Sequence, residues 1–198
     1  MQGGDRKEIR AGLKSTRARL YEFFSVFFRG PRSAGLLALW PGVEESVAAL
    51  CAALGSEPPE LSGTLPPEPD EELEREFARL FYGVGRCTVA LSESVYTSRE
   101  AILCQGALRE VSRIYDEAGV RPAGDLREAD TLPFELAFAA RLVEAERPEL
   151  ERTFITEHAA PLGLSVCAEI EKAPPEPRTR RAARLLRAFL KAERALLA

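Results

Sequence analysis

Residues 130–170 read DTLPFELAFAARLVEAERPELERTFITEHAAPLGLSVCAEI, and this stretch decides the fold. From about Asp130 to Glu146, Leu132, Leu136, Phe138, Leu142 and Val143 recur at helical intervals and form a broad apolar face. A face that wide predicts a central helix. Pro148 suits the first turn of the next helix, where its missing N–H is not needed. Leu150, Phe154, His158, Leu162, Val166 and Ile170 then follow at a strict four-residue spacing, with Pro161 expected to kink the helix. No Asn-Gly or Asp-Gly hairpin signal and no period-2 run occurs anywhere in the chain, so the fold reads as all-α.

Working outward, residues 8–29 read as an amphipathic helix. Leu13, Leu20, Phe23, Phe24, Phe27 and Phe28 form its stripe, and Arg10, Lys14, Arg17 and Arg19 lie mostly off it. Gly30-Pro31 ends it. Residues 33–54 predict a short helix, a turn at Trp40-Pro41-Gly42, and a second helix from Glu44 to Leu54. Residues 56–70 hold five prolines, four acids and no periodicity, which predicts a surface loop. A helix is expected from Asp70 to Tyr82, stopped by Gly83-Val84-Gly85. Cys87 to Tyr96 has some extended character. Thr97-Ser98-Arg99-Glu100 fits a capping box opening a helix through Leu103, Ala107, Val111, Ile114 and Ala118. A last helix over 179–197 is expected to bury Leu185, Leu186, Phe189, Leu190 and Leu196. The expectation is a single helical domain over 1–198, of about seven to ten helices.

Composition narrows the function. The chain has 198 residues, 45% hydrophobic and 29% charged, with a net charge of −4, so nothing global favours nucleic acid or an anionic membrane. The charge is segregated, however: residues 57–76 hold eight acids against one base, and 176–194 hold seven bases against two acids. His158 is the only histidine, which removes multi-histidine metal sites. Cys51, Cys87, Cys104 and Cys167 form no C-x-x-C pair, which disfavours structural zinc. With a polar opening segment and no apolar run of about 18 residues, neither a secretory signal nor a membrane span is expected. The expected compartment is a reducing cytoplasm with free thiols.

Catalytic candidates are sparse. Gly83-Val84-Gly85 lacks the third glycine and the preceding strand of a dinucleotide site. Glu93, Glu128 and Asp130 are possible general acids or bases. Without a nucleophile or metal companion, helix caps and ion pairs are the favoured reading, most of all for Asp130 at a helix start. His158 sits on an apolar stripe, where a hydrogen-bonded core histidine is favoured over a catalytic one. Arg178-Thr179-Arg180-Arg181, continued by Arg184 and Arg187, reads as a solvated basic helix face.

Several stretches together resemble the TorD/DmsD family of cytoplasmic redox-enzyme maturation chaperones. Arg19-Leu20-Tyr21 through Pro31 looks like the family's opening helix. Glu76-Phe77-Ala78-Arg79-Leu80-Phe81-Tyr82-Gly83 is similar to its E-x-x-x-L-F-x-G signature, and Glu93-Ser94-Val95-Tyr96 to its E-S-V-Y element. Val111, Tyr115 and Gly119 match V-x-x-x-Y-x-x-x-G. Glu128-Ala129-Asp130-Thr131-Leu132 with Glu135-Leu136 resembles E-P-D-H-L and E-L, and Phe154-Ile155-x-x-His158 resembles F-L-x-x-H. These elements keep order and spacing from residue 17 to 158. Thr131 stands where the family has histidine, Ala129 where it has proline, and Ser92 where an aromatic is frequent.

The resemblance implies a non-enzymatic, all-helical chaperone that uses no cofactor or metal of its own. Its partners would be the apo catalytic subunit of a molybdoenzyme and that subunit's N-terminal twin-arginine signal peptide. It would assist cofactor insertion and delay export. An Arg-Arg pair followed by an apolar helix calls for carboxylates beside a hydrophobic groove. Asp130, Glu128 and Glu93 are the candidate acids, Tyr82, Tyr96, Leu132 and Phe134 the candidate groove, and Thr131 and His158 further matching positions. A monomer or a segment-exchanged dimer is compatible with the long proline-containing connections. The alternatives are a weak nucleotide-binding or hydrolysing protein, motivated by the arginine-rich last helix, and a helical adaptor without leader recognition.

Overall fold

The computed structural model describes residues 3–30, 34–61, 71–83, 89–98, 103, 106–121, 125–173 and 177–198. Helices α1 (Gly3–Gly12) and α2 (Lys14–Arg29) replace the single helix expected over 8–29. The axis bends at Leu13, but hydrogen bonds run through it, from Leu13 N–H to Ile9 O (2.9 Å) and from Arg17 N–H to Leu13 O (2.8 Å). Gly30 ends α2 with φ 141°, a backbone geometry that L side chains resist.

Helix α3 (Ala34–Ala38) breaks at Leu39 and α4 (Trp40–Ala53) starts at once, not at Glu44 as the sequence suggested. Pro41 lies in the first turn of α4, where it starts the helix and does not interrupt it. Of the expected loop, residues 56–61 are irregular and 62–70 lie outside the described residues. Helix α5 (Glu71–Phe81) buries Leu73, Phe77 and Leu80, and Gly83 follows at φ 71°. Val84 and Gly85 lie outside the described residues.

Glu93–Tyr96 is not extended but belongs to a short helix, α6 (Glu93–Thr97). Thr97 does not cap the following helix. It ends α6, its hydroxyl donating to Glu93 O (3.0 Å), while Leu103 lies outside any helix and α7 spans Gly106–Glu117. Arg99 and Glu100 lie outside the described residues. Helix formation begins at Ser92 because a carboxylate from a distant segment, Asp130, caps α6.

A 3-10 turn (Leu126–Glu128) leads into α8 (Leu132–Glu144), the central helix, which is buried on most of its circumference. Next come α9 (Pro148–Phe154), a π-helical turn (Ile155–Ala159), α10 (Ala160–Lys172) and α11 (Pro177–Leu197). The π turn is how the chain accommodates Pro161, which has no N–H to give Glu157 O. It also explains the four-residue spacing. Such a spacing drifts by roughly 40° per step on a 3.6-residue helix, and a widened turn takes up part of that drift. Phe154, His158, Leu162, Val166 and Ile170 are all buried.

The main packing is α2 against α8 and α10 against α11. Phe23 and Phe27 meet Trp40 of α4 edge-on at 5.5 and 5.6 Å, and Phe24 stacks on Phe189 of α11 at 6.1 Å. Cys51 and Cys167 are buried free thiols, and burial pushes the Cys167 thiol up to about 12. Cys87 and Cys104 lie outside the described residues. Among the described residues there is no β-strand, only an isolated bridge, and no helix is long and apolar enough to cross a membrane.

Two charged features depart from the sequence reading. Arg17 is 1% exposed. Its Nε and Nη2 donate to the two oxygens of Glu193 (2.6 and 2.7 Å), and Nη2 also to Glu151 (2.7 Å), joining α2, α9 and α11. Tyr21 adds a bond to Glu193 (2.9 Å), and Arg10 one to Glu151 (2.7 Å). Burial works against the Arg17 charge, and Glu193, Tyr21 and Glu151 together outweigh that cost, holding the guanidinium above its ordinary range. Nor is the basic run of α11 a solvated face throughout. Arg178 and Thr179 are buried, and Arg181 and Arg187 pair with Glu44 (2.9 Å) and Glu171 (2.7 Å). Several of its cations are therefore taken up by helix packing, while Arg180 stays exposed.

Candidate functional site

Segment 89–98 and the start of α8 meet through the antiparallel bridge between Ser92 and Thr131. Leu132 N–H donates to Leu91 O (2.8 Å), and Glu93 N–H to Asp130 O (2.7 Å). A single carboxylate oxygen, Asp130 Oδ2, accepts from Ser92 Oγ (2.9 Å), Ser94 N–H (3.0 Å) and Ser94 Oγ. Asp130 thus supplies the N-terminal cap of α6, satisfying an amide that its own N-cap residue, Ser92, leaves unbonded. It is wholly buried. The sequence pointed to a capping role, and the helix Asp130 caps is α6 and not α8.

Below this hub lies an acidic centre. Glu93, 4% exposed, turns its carboxylate to His158 Nδ1 (3.1 and 3.3 Å), and the imidazole stacks on Phe154 with centroids 5.5 Å apart. Glu135 of α8 is fully buried next to Glu93 and Asp130. Burial first, and then the Glu93 and Asp130 charges, hold its carboxyl well above the usual carboxylate range. Tyr115 closes the centre, its hydroxyl donating to Ala129 O (3.0 Å), and burial raises its phenol as well.

The other expected site residues divide between surface and core. Glu128 is exposed and Thr131 half-buried, the Thr131 hydroxyl donating to Glu128 O (2.8 Å). Phe134, one turn further along α8, carries the Arg29 guanidinium 4.8 Å above its ring, and Tyr82, 52% exposed, donates to Arg29 O (2.6 Å). Tyr82, Arg29, Phe134, Thr131 and Glu128 therefore follow one another along a surface strip. Leu132 is fully buried in the core, and Tyr96 is half-buried with its hydroxyl on Ala90 O (2.8 Å).

Glu93 and His158 reach a cavity of about 440 Å³, which they share with Thr97, Ser98, Gly106, Ala107, Glu110 and Glu157. Sequence reasoning missed Glu135, Glu110 and Glu157. An acid inside the apolar face of α8 was a readable signal for Glu135, whereas nothing in the sequence marks the other two. A carboxylate-oriented imidazole is one arrangement of a general base. Among the described residues, however, no hydroxyl or thiol is bonded to His158, and no group of three or more His, Cys, Asp or Glu is placed to hold a metal ion.

Comparison with curated proteins and with solved structures returned no match. A family profile described as nitrate reductase delta subunit matches residues 38–168, about two thirds of the chain, including the bridge, the acidic centre and the cavity. That span agrees with the TorD/DmsD-like resemblance of the motifs, and the chain belongs to the nitrate reductase delta subunit family, a family of molybdoenzyme maturation chaperones.

Proposed function

We propose that this protein is a system-specific chaperone for the catalytic subunit of a molybdopterin-containing oxidoreductase. It binds that subunit's twin-arginine leader and apo form, assists cofactor insertion and delays export. The observation that carries the reading is the strip from Tyr82 to Glu128. The exposed ring of Tyr82 and the half-buried ring of Phe134, under Arg29, lead along the strip to the exposed Glu128, which makes no ion pair among the described residues. A leader is a cationic pair followed by an apolar helix, so it needs both elements side by side. Arg29 covers Phe134 in the free chain, and the apolar part of a leader takes its place on the ring. Asp130, Glu93 and His158 support this surface from below, and Thr131, where the family has histidine, is the position expected to tune which leader is read.

The test is titration calorimetry with the leader peptide of a molybdoenzyme encoded beside this chain. Its Arg-Arg pair is intact in one peptide and Lys-Lys in the other. Binding to the intact leader, weakened by Glu128→Gln and by Phe134→Ala, is expected. Absence of binding to both the leader and the full apo-subunit overturns the reading.

A further inference from the structure

We infer that Glu135 carries a buried proton that latches α6 onto the start of α8, and that loss of this proton releases α6. Donors and acceptors in the acidic centre do not balance without it. Ser92 Oγ, Ser94 N–H and Ser94 Oγ all go to Asp130 Oδ2, the His158 ring to Glu93, and the Tyr115 hydroxyl to Ala129 O. That leaves Asp130 Oδ1 and both oxygens of Glu135 buried with no hydrogen-bond partner among the described residues. Three ionised carboxyl groups offer acceptors only, and each buried acceptor left unmet costs free energy. A proton on Glu135 turns one of the orphaned oxygens into a donor toward the neighbouring carboxylates.

The surrounding charges point the same way. Asp130 and Glu135 are 0% exposed and Glu93 4%, and among the described residues no cation is placed to neutralise a third carboxylate. His158 of the π turn is engaged by Glu93, Arg17 of α2 by Glu193 and Glu151, and Arg29 of α2 lies over Phe134. Arg141 and Glu144, the other charged residues of α8, are exposed, as are Arg152 of α9, Glu110 of α7 and Glu157 of the π turn. Helix α7 also brings the Tyr115 phenol, and α10 has no charged residue before Glu169. Burial first, and then the charges of Glu93 and Asp130, favour the neutral form of Glu135.

When Glu135 loses the proton, the third charge acts on Glu93 and Asp130. Helix α8 cannot yield, because it is buried on most of its circumference and packs along α2. Helix α6 has five residues and is held through the centre, by Glu93 N–H on Asp130 O, Ser94 on Asp130 Oδ2, and the Glu93 carboxylate on His158. It is the element that gives way. Glu93, Thr97 and Ser98 line the cavity of about 440 Å³, so release of α6 removes one of its walls. The folded pKa of Glu135 lies above its unfolded value, so the latch is closed at lower pH and opens as pH rises through the folded value.

The test reads the proton and the latch separately, on the full chain. Carbon-13 NMR of protein labelled at the glutamate δ-carbon, with the Glu135 signal assigned through its γ protons, is expected to show a carboxylic acid at pH 7 and a carboxylate only at higher pH. Protection of the Ser94 amide from hydrogen exchange, taken relative to the unstructured rate, should fall above that transition by up to about tenfold per pH unit, while Val166 in α10 keeps its protection. Glu135→Gln, a fixed neutral donor, should hold the Ser94 protection constant over the same range. A Glu135 carboxylate signal at pH 7 in the folded chain overturns the proposal. So does a Ser94 protection that stays constant in wild type, that Val166 follows, or that falls equally in Glu135→Gln. Should Glu135→Gln fail to fold, the wild-type carbon signal and the comparison of Ser94 with Val166 decide alone. Neither readout involves the leader, so the latch and the chaperone reading stand or fall independently.

Discussion

Replacing Arg17 by methionine tests the claim that a buried ionic cluster holds α2, α9 and α11 together. Methionine keeps the length and packing of the aliphatic stem and removes only the charge and its hydrogen bonds. The wild-type guanidinium makes three bonds to two carboxylates. After the change, Glu151 keeps Arg10 at 2.7 Å, but Glu193, fully buried, keeps only the Tyr21 hydroxyl. The loss therefore falls mainly on one stranded carboxylate, and breaking a buried pair in this way costs about 3–5 kcal/mol. For a chain of this size each kcal/mol lowers Tm by about 2–4 °C, so a fall of roughly 6–20 °C is expected. Urea unfolding at pH 7 gives the free energy and a thermal scan the midpoint. The companion variant Arg17→Met/Glu193→Met removes both charges and should recover most of the loss, because an apolar pair of similar volume replaces a buried ion pair at little net cost. A single variant within about 1 kcal/mol of wild type, or a double variant no better than the single, refutes the reasoning.

Glu135→Gln should change the pH dependence of stability. The folded pKa of Glu135 lies above its unfolded value, so its contribution is fully present below the unfolded pKa and is lost as pH rises through the folded one. Parallel urea melts from pH 5 to 8 should show wild type losing stability relative to Glu135→Gln, by at most about 1.4 kcal/mol per pH unit, and a constant difference across that range contradicts the assignment. Asp130→Ala removes three acceptor contacts at the start of α6 and should cost about 2–3 kcal/mol in the same assay, with earlier amide exchange at Ser94 than at α8 positions. Asp130→Asn, which keeps one acceptor oxygen, should lose less. Gly163→Ala places a methyl group against Leu190 Cδ1 in the fully buried contact of α10 with α11. It should cost about 1–3 kcal/mol, and a neutral result means that Leu190 has room to turn.

Apolar periodicity gave the helices away, because burial is what selects those residues. The stripes of α2, α5 and α11 are buried as their spacing implied. Where the sequence misled, a partner from far along the chain decided the outcome. Thr97 has the local chemistry of a cap, but α6 forms upstream of it because Asp130, 36 residues beyond Ser94, caps that helix. Arg17 looked like an exposed cation beside an apolar stripe, and only the arrival of Glu151 and Glu193, 134 and 176 residues away, makes its burial tolerable. The same limit applied to the site. The motifs around Glu93, Asp130 and His158 fall on residues that the fold brings together, whereas Glu110 and Glu157 share the cavity only because α7 and the π turn approach each other.

The hub couples the surface strip to the acidic centre. Asp130 binds α6 through its side chain, and its carbonyl receives the Glu93 amide, so residues 128–131 cannot move without moving Glu93. Glu93 in turn fixes the His158 ring, which forms part of the cavity wall. The immediate neighbours of Asp130 on the other side are the surface groups, Thr131 and Glu128, with Phe134 one turn further on. The strip and the cavity wall are thus joined through the hydrogen bonds of Asp130 and the contact between Glu93 and His158. In that arrangement Asp130 works as a positioning residue. Its full burial follows from this role, since a carboxylate that caps one helix while anchoring the entry of another has no oxygen to offer at the surface.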